Sequence, residues 1–502
     1  METVLRYVST LSVASQTILV ASVFGITAYY LLHKRYRLPP GPTALPLLGN
    51  VLSFRGTPLY QKLAEWSKTY GPVMTVYLGP IRCVALNSTE VVLEALVKKQ
   101  ADFAGRPQTY STKLLSDGGK SIALGDYHAT WRLHRKLATK ALRLYTSGNR
   151  LELRMTESLN KVVEVLKGIK EPVNPHLYNS LVALNILLGV CFDQTYAVDD
   201  PMFKKMLSTF DEFLTIFGNG PLEDIIPPLR LCPTKRMKRM IQLFDEIFNI
   251  LDTFIVEHRK TLSPEHIRDF TDSILLAQKE AMEELDEATM SKITDGHVKQ
   301  TIADIFGAGI DTTRLTLDWT ILYLASYPEV QSKIHKEVDQ VLPKDGTMML
   351  SYRNQLPYTE AVLHEVMRLS SVVPLGLPHS TTCDTKIGDY DIPQGTMVLL
   401  NLWMMHHDPD KWTDVEDFKP ERFLDETGAI APKPDSWLPF SAGRRVCLGE
   451  SVAKPELVLL LAGYMRQFKI SLPDGVKPDF EATGGGFFRT PKPFEVVFVE
   501  RD

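Results

Sequence analysis

The clearest break in the hydrophobic pattern is a run from Leu11 to Leu32, 22 residues without a charge. As a helix rising ~1.5 Å per residue it would span roughly 33 Å, enough to cross a hydrocarbon core of ~30 Å. A removable secretory leader is the rival, but its apolar part usually covers about 7–15 residues and closes on a small-residue cleavage site. Here the run ends in Tyr29-Tyr30-Leu31-Leu32 and meets His33-Lys34-Arg35-Tyr36-Arg37, the pattern of a retained anchor. Basic residues follow the run, while Arg6 before it is offset by Glu2, which places the rest of the chain in the cytosol. The expected layout begins with a signal anchor and basic flank over residues 1–37, transmembrane at about 11–32. Leu38-Pro39-Pro40-Gly41-Pro42 cannot continue a helix and opens a Pro-rich hinge over residues 38–50.

Residues 51–502 show no second linker, repeat or low-complexity stretch, so one large domain is expected. Val73–Leu78 and Arg82–Leu86 form a hairpin about Gly79-Pro80, by β-propensity and turn chemistry. From about Ser88 to Val341 the periodicity is helical, broken near Gly220-Pro221 and Ile226-Pro227-Pro228. The strongest helix runs from about Asp295 to Ser326, stopped by Tyr327-Pro328, and being apolar on most faces it should cross the middle of the domain. Short β segments follow near Thr385–Ile392 and Phe494–Val499. The fold class is mainly α with small β-sheets, preceded by a transmembrane helix.

Composition narrows the function. The 56 Lys plus Arg against 60 Asp plus Glu leave a net charge of -4, which argues against a nucleic-acid partner. Cys83, Cys191, Cys232, Cys383 and Cys447 are odd in number and scattered, with no CxxC or Cys/His cluster. Neither a disulfide framework nor a zinc site is supported; a reducing compartment with one cysteine kept for chemistry fits better.

That cysteine is Cys447, in Phe440-Ser441-Ala442-Gly443-Arg444-Arg445-Val446-Cys447-Leu448-Gly449. It stands near the start of a helical pattern, where backbone N–H groups and the helix dipole favour a thiolate. Gly443 and Gly449 permit turns and close backbone approach, so a flat cofactor could lie on the loop, with Arg445 pairing its acidic groups. Taken alone, Cys447 could equally be a buried structural cysteine.

The full spacing, Phe-x-x-Gly-x-Arg-x-Cys-x-Gly, resembles the haem-binding signature of the cytochrome P450 superfamily; Ser441 stands where that family usually has glycine. The resemblance implies haem b with Cys447 as the axial thiolate on iron, and Phe440, Gly443, Arg445 and Gly449 around it. Ala308-Gly309-Ile310-Asp311-Thr312-Thr313, inside the long helix, matches the family's oxygen-binding segment. It implies that Ala308 lies beside the haem and that Asp311 and Thr312 deliver protons. Glu365-Val366-Met367-Arg368 and Pro420-Glu421-Arg422-Phe423 match the family's buried structural triad of Glu365, Arg368 and Arg422. Trp131-Arg132-Leu133-His134-Arg135 and Pro378-His379 match segments implying that Trp131, Arg135 and His379 meet haem propionates.

The sequence is similar to the animal microsomal group that holds steroid 17α-hydroxylases and the aromatic-hydrocarbon-oxidising enzymes. Leu377-Pro378-His379-Ser380 and Gly218-Asn219-Gly220-Pro221 lean to the second, Asn401-Leu402-Trp403 with His406-His407 to the first. The implied function is a membrane-anchored, endoplasmic-reticulum haem-thiolate monooxygenase. It would insert one oxygen atom from O2 into an apolar substrate, steroid-like or planar aromatic. NADPH would supply electrons through a reductase, with cytochrome b5 as a second partner. Substrate contacts by the resemblance are Asp304, Leu375 and Phe487, beside Ala308. A basic patch of Arg132, Lys136, Lys140, Arg143, Arg444 and Lys454 is expected to receive the reductase. The cluster Lys235, Arg236, Lys238 and Arg239 suits an anionic membrane surface. The competing readings are a haem-thiolate peroxide isomerase, disfavoured by an intact Asp311-Thr312, and a non-enzymatic haem carrier or sensor.

Overall fold

The computed structural model describes residues 36–146, 149–218, 220–284, 293–343, 349–483 and 487–501. The expected membrane anchor at 11–32 lies outside the described residues. The helices that matter here are α1 (Leu59–Tyr70), α2 (Tyr110–Leu115), α3 (Ala129–Thr146), α4 (Arg150–Lys167), α5 (Pro175–Phe192), α6 (Pro201–Gly218) and α7 (Lys235–Thr261). They continue with α8 (Phe270–Glu284), α9 (Asp295–Ser326), α10 (Pro328–Val341), α11 (Pro357–Ser370), α12 (Leu402–His406) and α13 (Glu450–Gln467).

The hairpin of β1 (Val73–Leu78) and β2 (Ile81–Leu86) belongs to a four-stranded sheet of order β1-β2-β6-β3, with β3 at His379–Ser380 and β6 at Met397–Leu400. β6 runs parallel to β2, with Val84 opposite Val398. Side chains alternate between the faces of a sheet, and here each face has its own core. Val73, Val84, Leu86, Val398 and Leu400 enter one apolar cluster; Met74, Val76, Cys83, Ala85, Met397 and Leu399 enter another. The Pro-rich segment is laid along β1: the carbonyl oxygens of Pro39 and Pro40 accept from Thr75 Oγ1 and N, both at 2.8 Å. Gly41 passes so close that a Cβ there would stand 1.9 Å from Thr75 O.

The remaining pairs are short and antiparallel: β4 (Thr385–Ile387) with β5 (Tyr390–Ile392), β7 (Phe468–Ser471) with β10 (Val497–Glu500), and β8 (Ala482–Thr483) with β9 (Thr490–Pro491).

The long helix α9 runs for 32 residues through the main apolar core, from a capping box of Thr294 and His297 to the stop at Tyr327 before Pro328. Three of its threonines are satisfied within the helix: Thr312, Thr316 and Thr320 each donate to the carbonyl four residues back at 2.7 Å. α5 lies alongside, tied by Asn179 Nδ2 donating to Asp318 Oδ1 at 2.7 Å. Among the described residues α5 is long and apolar enough to cross a membrane, but it is a core helix, mostly buried inside the body.

The triad assembles as the family resemblance implies. Arg368 makes a fork to Glu365, Nε to Oε2 at 2.8 Å and Nη2 to Oε1 at 2.9 Å, and Arg422 Nε reaches Glu365 Oε1 at 3.0 Å. Arg368 also donates from Nη1 to the carbonyls of His406 and Val415, each at 2.9 Å. His406 Nε2 in turn accepts from Leu438 N at 3.1 Å, so the triad reaches the cysteine loop through one histidine. Removing one partner of a fully buried ion pair strands the other charge, at a cost of about 3–5 kcal/mol. Glu365→Ala should therefore lower unfolding free energy by that amount in denaturant titration, while Glu426→Ala on the surface should change it by less than ~0.5 kcal/mol.

Candidate active site

The cysteine loop is closed by Cys447 N donating to Phe440 O at 3.0 Å, and it leads through Gly449 into α13. Gly443 is required by its surroundings: its φ is +71° and a Cβ would stand 1.9 Å from Leu96 O. Ser441 is also left-handed, at φ 60°, and its buried Oγ has no hydrogen-bond partner among the described residues. Phe440 is partly buried, with Lys454 Nζ 4.9 Å above its ring.

Cys447 is exposed, although Arg445 two residues earlier is buried. Withdrawal from bulk water pushes its thiol pKa up, opposed by the N–H groups of Gly449 and Glu450 and by the charge of Arg135. The sulfur therefore has open surface, on a loop that withdraws it from bulk water. α13 packs on α9, and on α9 Ala308 is exposed and Thr312 partly so, in a helix whose other positions are mostly buried.

Around the loop, positive charge collects without acid partners. Arg445 donates from Nε to Ala104 O at 2.7 Å, from Nη1 to Ile122 O at 3.1 Å and from Nη2 to Gly125 O at 2.8 Å. Its guanidinium lies 3.8 Å from the centre of the Trp131 ring. Trp131 Nε1 donates to the same Ile122 O at 3.0 Å, and Arg135, one turn along α3, donates to Val446 O. Arg106 donates to Ala123 O at 2.9 Å and to Pro378 O at 3.0 Å, and His379 Nδ1 donates to Phe103 O at 2.6 Å. Burial, then the mutual repulsion of these cations, lowers the Arg445 pKa to about 8 and the Arg106 pKa to about 9. Burial and Arg106 hold His379 well below its ordinary value. Among the described residues, none of the three arginines has an ion-pair partner.

A cytochrome P450 family model matches residues 39–498. The chain belongs to the cytochrome P450 family. It is 37% identical to a steroid 17-alpha-hydroxylase/17,20 lyase of Gallus gallus over 457 residues, 89% of each chain. It is 34% identical to the enzyme of that name from Squalus acanthias over 469 residues, 92% of this chain and 91% of the relative. It is 36% identical to cytochrome P450 1A5 of Gallus gallus over 459 residues, 89% of this chain and 86% of the relative. As a P450 it is a haem-thiolate monooxygenase, whose cofactor is thiolate-ligated haem b served by NADPH through a reductase.

The residues present fit that group. Cys447 offers an open sulfur, Gly443 keeps the loop flat, Ala308 and Thr312 leave part of α9 uncovered, and the unpaired arginines suit a dianionic edge. Arg106 was not among the sequence expectations. Phe103-Ala104-Gly105-Arg106-Pro107 reads as an ordinary turn, and its one clue is a charge set in apolar surroundings.

The other expected residues have these surroundings. Asp304 does not offer its carboxylate to a substrate: Oδ1 and Oδ2 accept from Ser121 Oγ at 2.8 and 3.0 Å, and Oδ2 from Ile122 N at 2.6 Å. Removal from water still pushes its pKa up to about 6. Leu375 packs on the β1–β2–β6 sheet, and Phe487 stands edge-on to Phe217 of α6 at 6.0 Å. Asp311 and Thr312 are adjacent but serve different surroundings: Thr312 Oγ1 is bonded back to Ala308 O, while Asp311 is buried against Arg314 at 2.5 Å. Arg314 continues to Asp211 at 2.6 Å on α6.

Burial pushes the Asp311 pKa up to about 6, with Arg314 pulling it down and Asp211 adding to the rise. A carboxyl whose folded pKa exceeds its unfolded one favours the native state at low pH and loses that advantage as pH rises from about 4 to about 6. Asp311→Asn should remove this loss. Thermal unfolding from pH 4.5 to 7 should show the wild type falling relative to the variant by about 1–3 kcal/mol.

Proposed function

We propose that the chain is a membrane-anchored monooxygenase in which Cys447 is the haem thiolate. Its substrate would be apolar, either steroid-like or planar aromatic, and electrons would arrive through a reductase. The observation that carries this reading is the open Cys447 sulfur next to buried guanidiniums that lack carboxylate partners, in a chain of P450 family. When bound, thiolate-ligated haem supplies reductive activation of O2 and insertion of one oxygen atom into an unactivated C–H bond.

The residues do the remainder. Arg106, Arg135 and Arg445 bind the acidic edge of the cofactor and are relieved of their mutual repulsion by it. Ala308 leaves an uncovered stretch of helix surface, and Thr312 Oγ1 holds a proton that can turn away from Ala308 O. Asp311, its pKa pushed up to about 6 by burial, can release and take up protons from the Arg314–Asp211 side, where Asp211 is partly exposed. Cys447→Ala should abolish substrate turnover and the red-shifted Soret band of the ferrous carbon monoxide adduct; a variant that keeps both would overturn the assignment of Cys447.

Two surfaces support the partners in this reading. A concave patch of about 580 Å³ is bordered by Arg132, Arg135, Lys136, Lys140, Arg143 and Arg444, beside the Trp131 helix. Its charge suits an acidic reductase face, where complementarity mainly speeds association. Charge reversal at Lys136 and Arg444 should slow reduction by the reductase in stopped flow and weaken its salt dependence, without altering the thermal stability of the fold.

The second surface is apolar. Leu47 is 87% exposed and Leu231 92%, and Ile225 lies against Gly79, which brings the segments around them together. This supports contact with a membrane next to the anchor expected at 11–32, in the endoplasmic reticulum with the body in the cytosol. The nearby basic cluster is only partly free for lipid, because Arg239 makes a fork to Glu212 at 2.8 and 2.6 Å.

A further inference from the structure

Two lysines from different parts of the chain converge on one indole. Lys433 Nζ lies 5.1 Å from the centre of the Trp437 ring, and Lys454 Nζ lies 5.3 Å from it. Trp437 is buried and fixed, its Nε1 donating to His364 O at 3.0 Å. Lys454 belongs to α13, is itself buried, and also stands 4.9 Å from the Phe440 ring. Lys433 differs. It sits in Ala431-Pro432-Lys433-Pro434-Asp435, outside regular structure, and is exposed. A proline on each side leaves its backbone little freedom, so the amine is presented from a restrained loop open to water.

Charge around this indole is out of balance. Lys454 is ion-paired with Glu450, and Arg353 makes a fork to Glu360 at 2.9 and 2.5 Å. These are the carboxylates whose charge reaches Lys433, and both are taken, while Asp435 on the loop itself is exposed to water. His364, 4.4 Å from Trp437, supplies no negative charge, and its ring nitrogens are buried without hydrogen bonds among the described residues. Burial, then Lys433, Lys454 and Arg353, lowers the His364 pKa to about 3. Three cations thus face two carboxylates, and Lys433 is the surplus. Partial burial, then the Lys454 ammonium, lowers the Lys433 pKa to about 8.

An accessible lysine whose ammonium has no carboxylate of its own and a second cation beside it is an activated nucleophile. We propose that Lys433 is a covalent modification site, acylated on Nζ by an acyl thioester. The Nζ lone pair attacks the thioester carbonyl carbon. The C–N bond forms as the C–S bond breaks, the bonding pair leaves on sulfur, and the proton shed by nitrogen goes to the thiolate. The product amide is neutral. Acylation therefore removes the surplus charge and leaves the Lys454–Glu450 and Arg353–Glu360 pairs in balance, whereas a carbamate at the same nitrogen would carry the cluster past neutrality. The inference stands on this cluster and does not depend on the role given to Cys447.

The test uses the full chain with its cofactor, and acetyl-coenzyme A as the probe. After brief reaction near neutral pH and proteolysis, mass spectrometry should show Lys433 acetylated about tenfold faster than the exposed Lys170 and Lys477, because each unit of lowered pKa gives about ten times more free amine. Its rate should level off above about pH 8, whereas an unperturbed lysine accelerates up to about pH 10.4. Lys454→Met should slow Lys433 toward the two controls and move the levelling to higher pH. Lys433→Arg should erase the fast site and leave the ferrous carbon monoxide spectrum unchanged. If Lys454→Met does not fold, the pH profile of the wild type decides the matter. The proposal is overturned if Lys433 reacts no faster than Lys170 and Lys477, or if its rate climbs with pH as steeply and as far as theirs.

Discussion

Buried positive charge without matching negative charge is the constraint around which this fold is arranged. Arg106 and Arg445 are each 6% exposed, and Arg135 stands close by, so the three guanidiniums repel one another in poor solvent. The protein holds them with backbone carbonyls rather than carboxylates: Ala104, Ile122, Ala123, Gly125, Pro378 and Val446 all accept. Those carbonyls come from separate stretches of chain, which is why residues 103–107, 121–126, 377–379 and 445–447 converge. A carboxylate in their midst would relieve the repulsion and leave nothing for a dianionic cofactor edge to do.

Support for this arrangement comes from the far side of the cysteine loop, where the cations do have a carboxylate partner. The Glu365–Arg368–Arg422 group is fully paired, and through His406 it positions Leu438, whose carbonyl accepts from Ser441 N at 3.0 Å. An ion-paired cluster thus fixes the loop that an unpaired one surrounds. α9 divides its duties in the same way, with threonines bonded inward to their own helix and Asp311 turned to Arg314.

Much of this was legible along the chain. The bounds Asp295 and Ser326 coincide with those expected, because a polar capping residue and a Tyr-Pro pair punctuate a long apolar pattern. The hairpin followed from its Gly-Pro turn, while the triad followed from the family resemblance, since an acid and a base three apart on a helix look like a solvated pair. The cysteine loop was legible because its glycines, arginine and cysteine stand within ten residues. Arg106 was not, since a lone arginine between Gly105 and Pro107 has no periodicity to betray burial. Asp304 was read toward a substrate from the family resemblance, whereas the amide that claims it stands 182 residues away in sequence. Arg314 pairs with Asp211 across 103 residues, which no local pattern encodes.

The sheet carries a consequence for how the molecule is made. β2 finds its parallel neighbour only in β6, so Cys83 waits for Met397, 314 positions downstream. Closing so long a loop is slow, and until it closes the hairpin presents an unpaired edge. A ribosome moving at about 5–20 residues per second needs some tens of seconds to deliver the missing strand. For that interval the nascent hairpin is a sticky ribbon, and a chain that stalls before residue 397 is left as a template for aggregation rather than a smaller working protein.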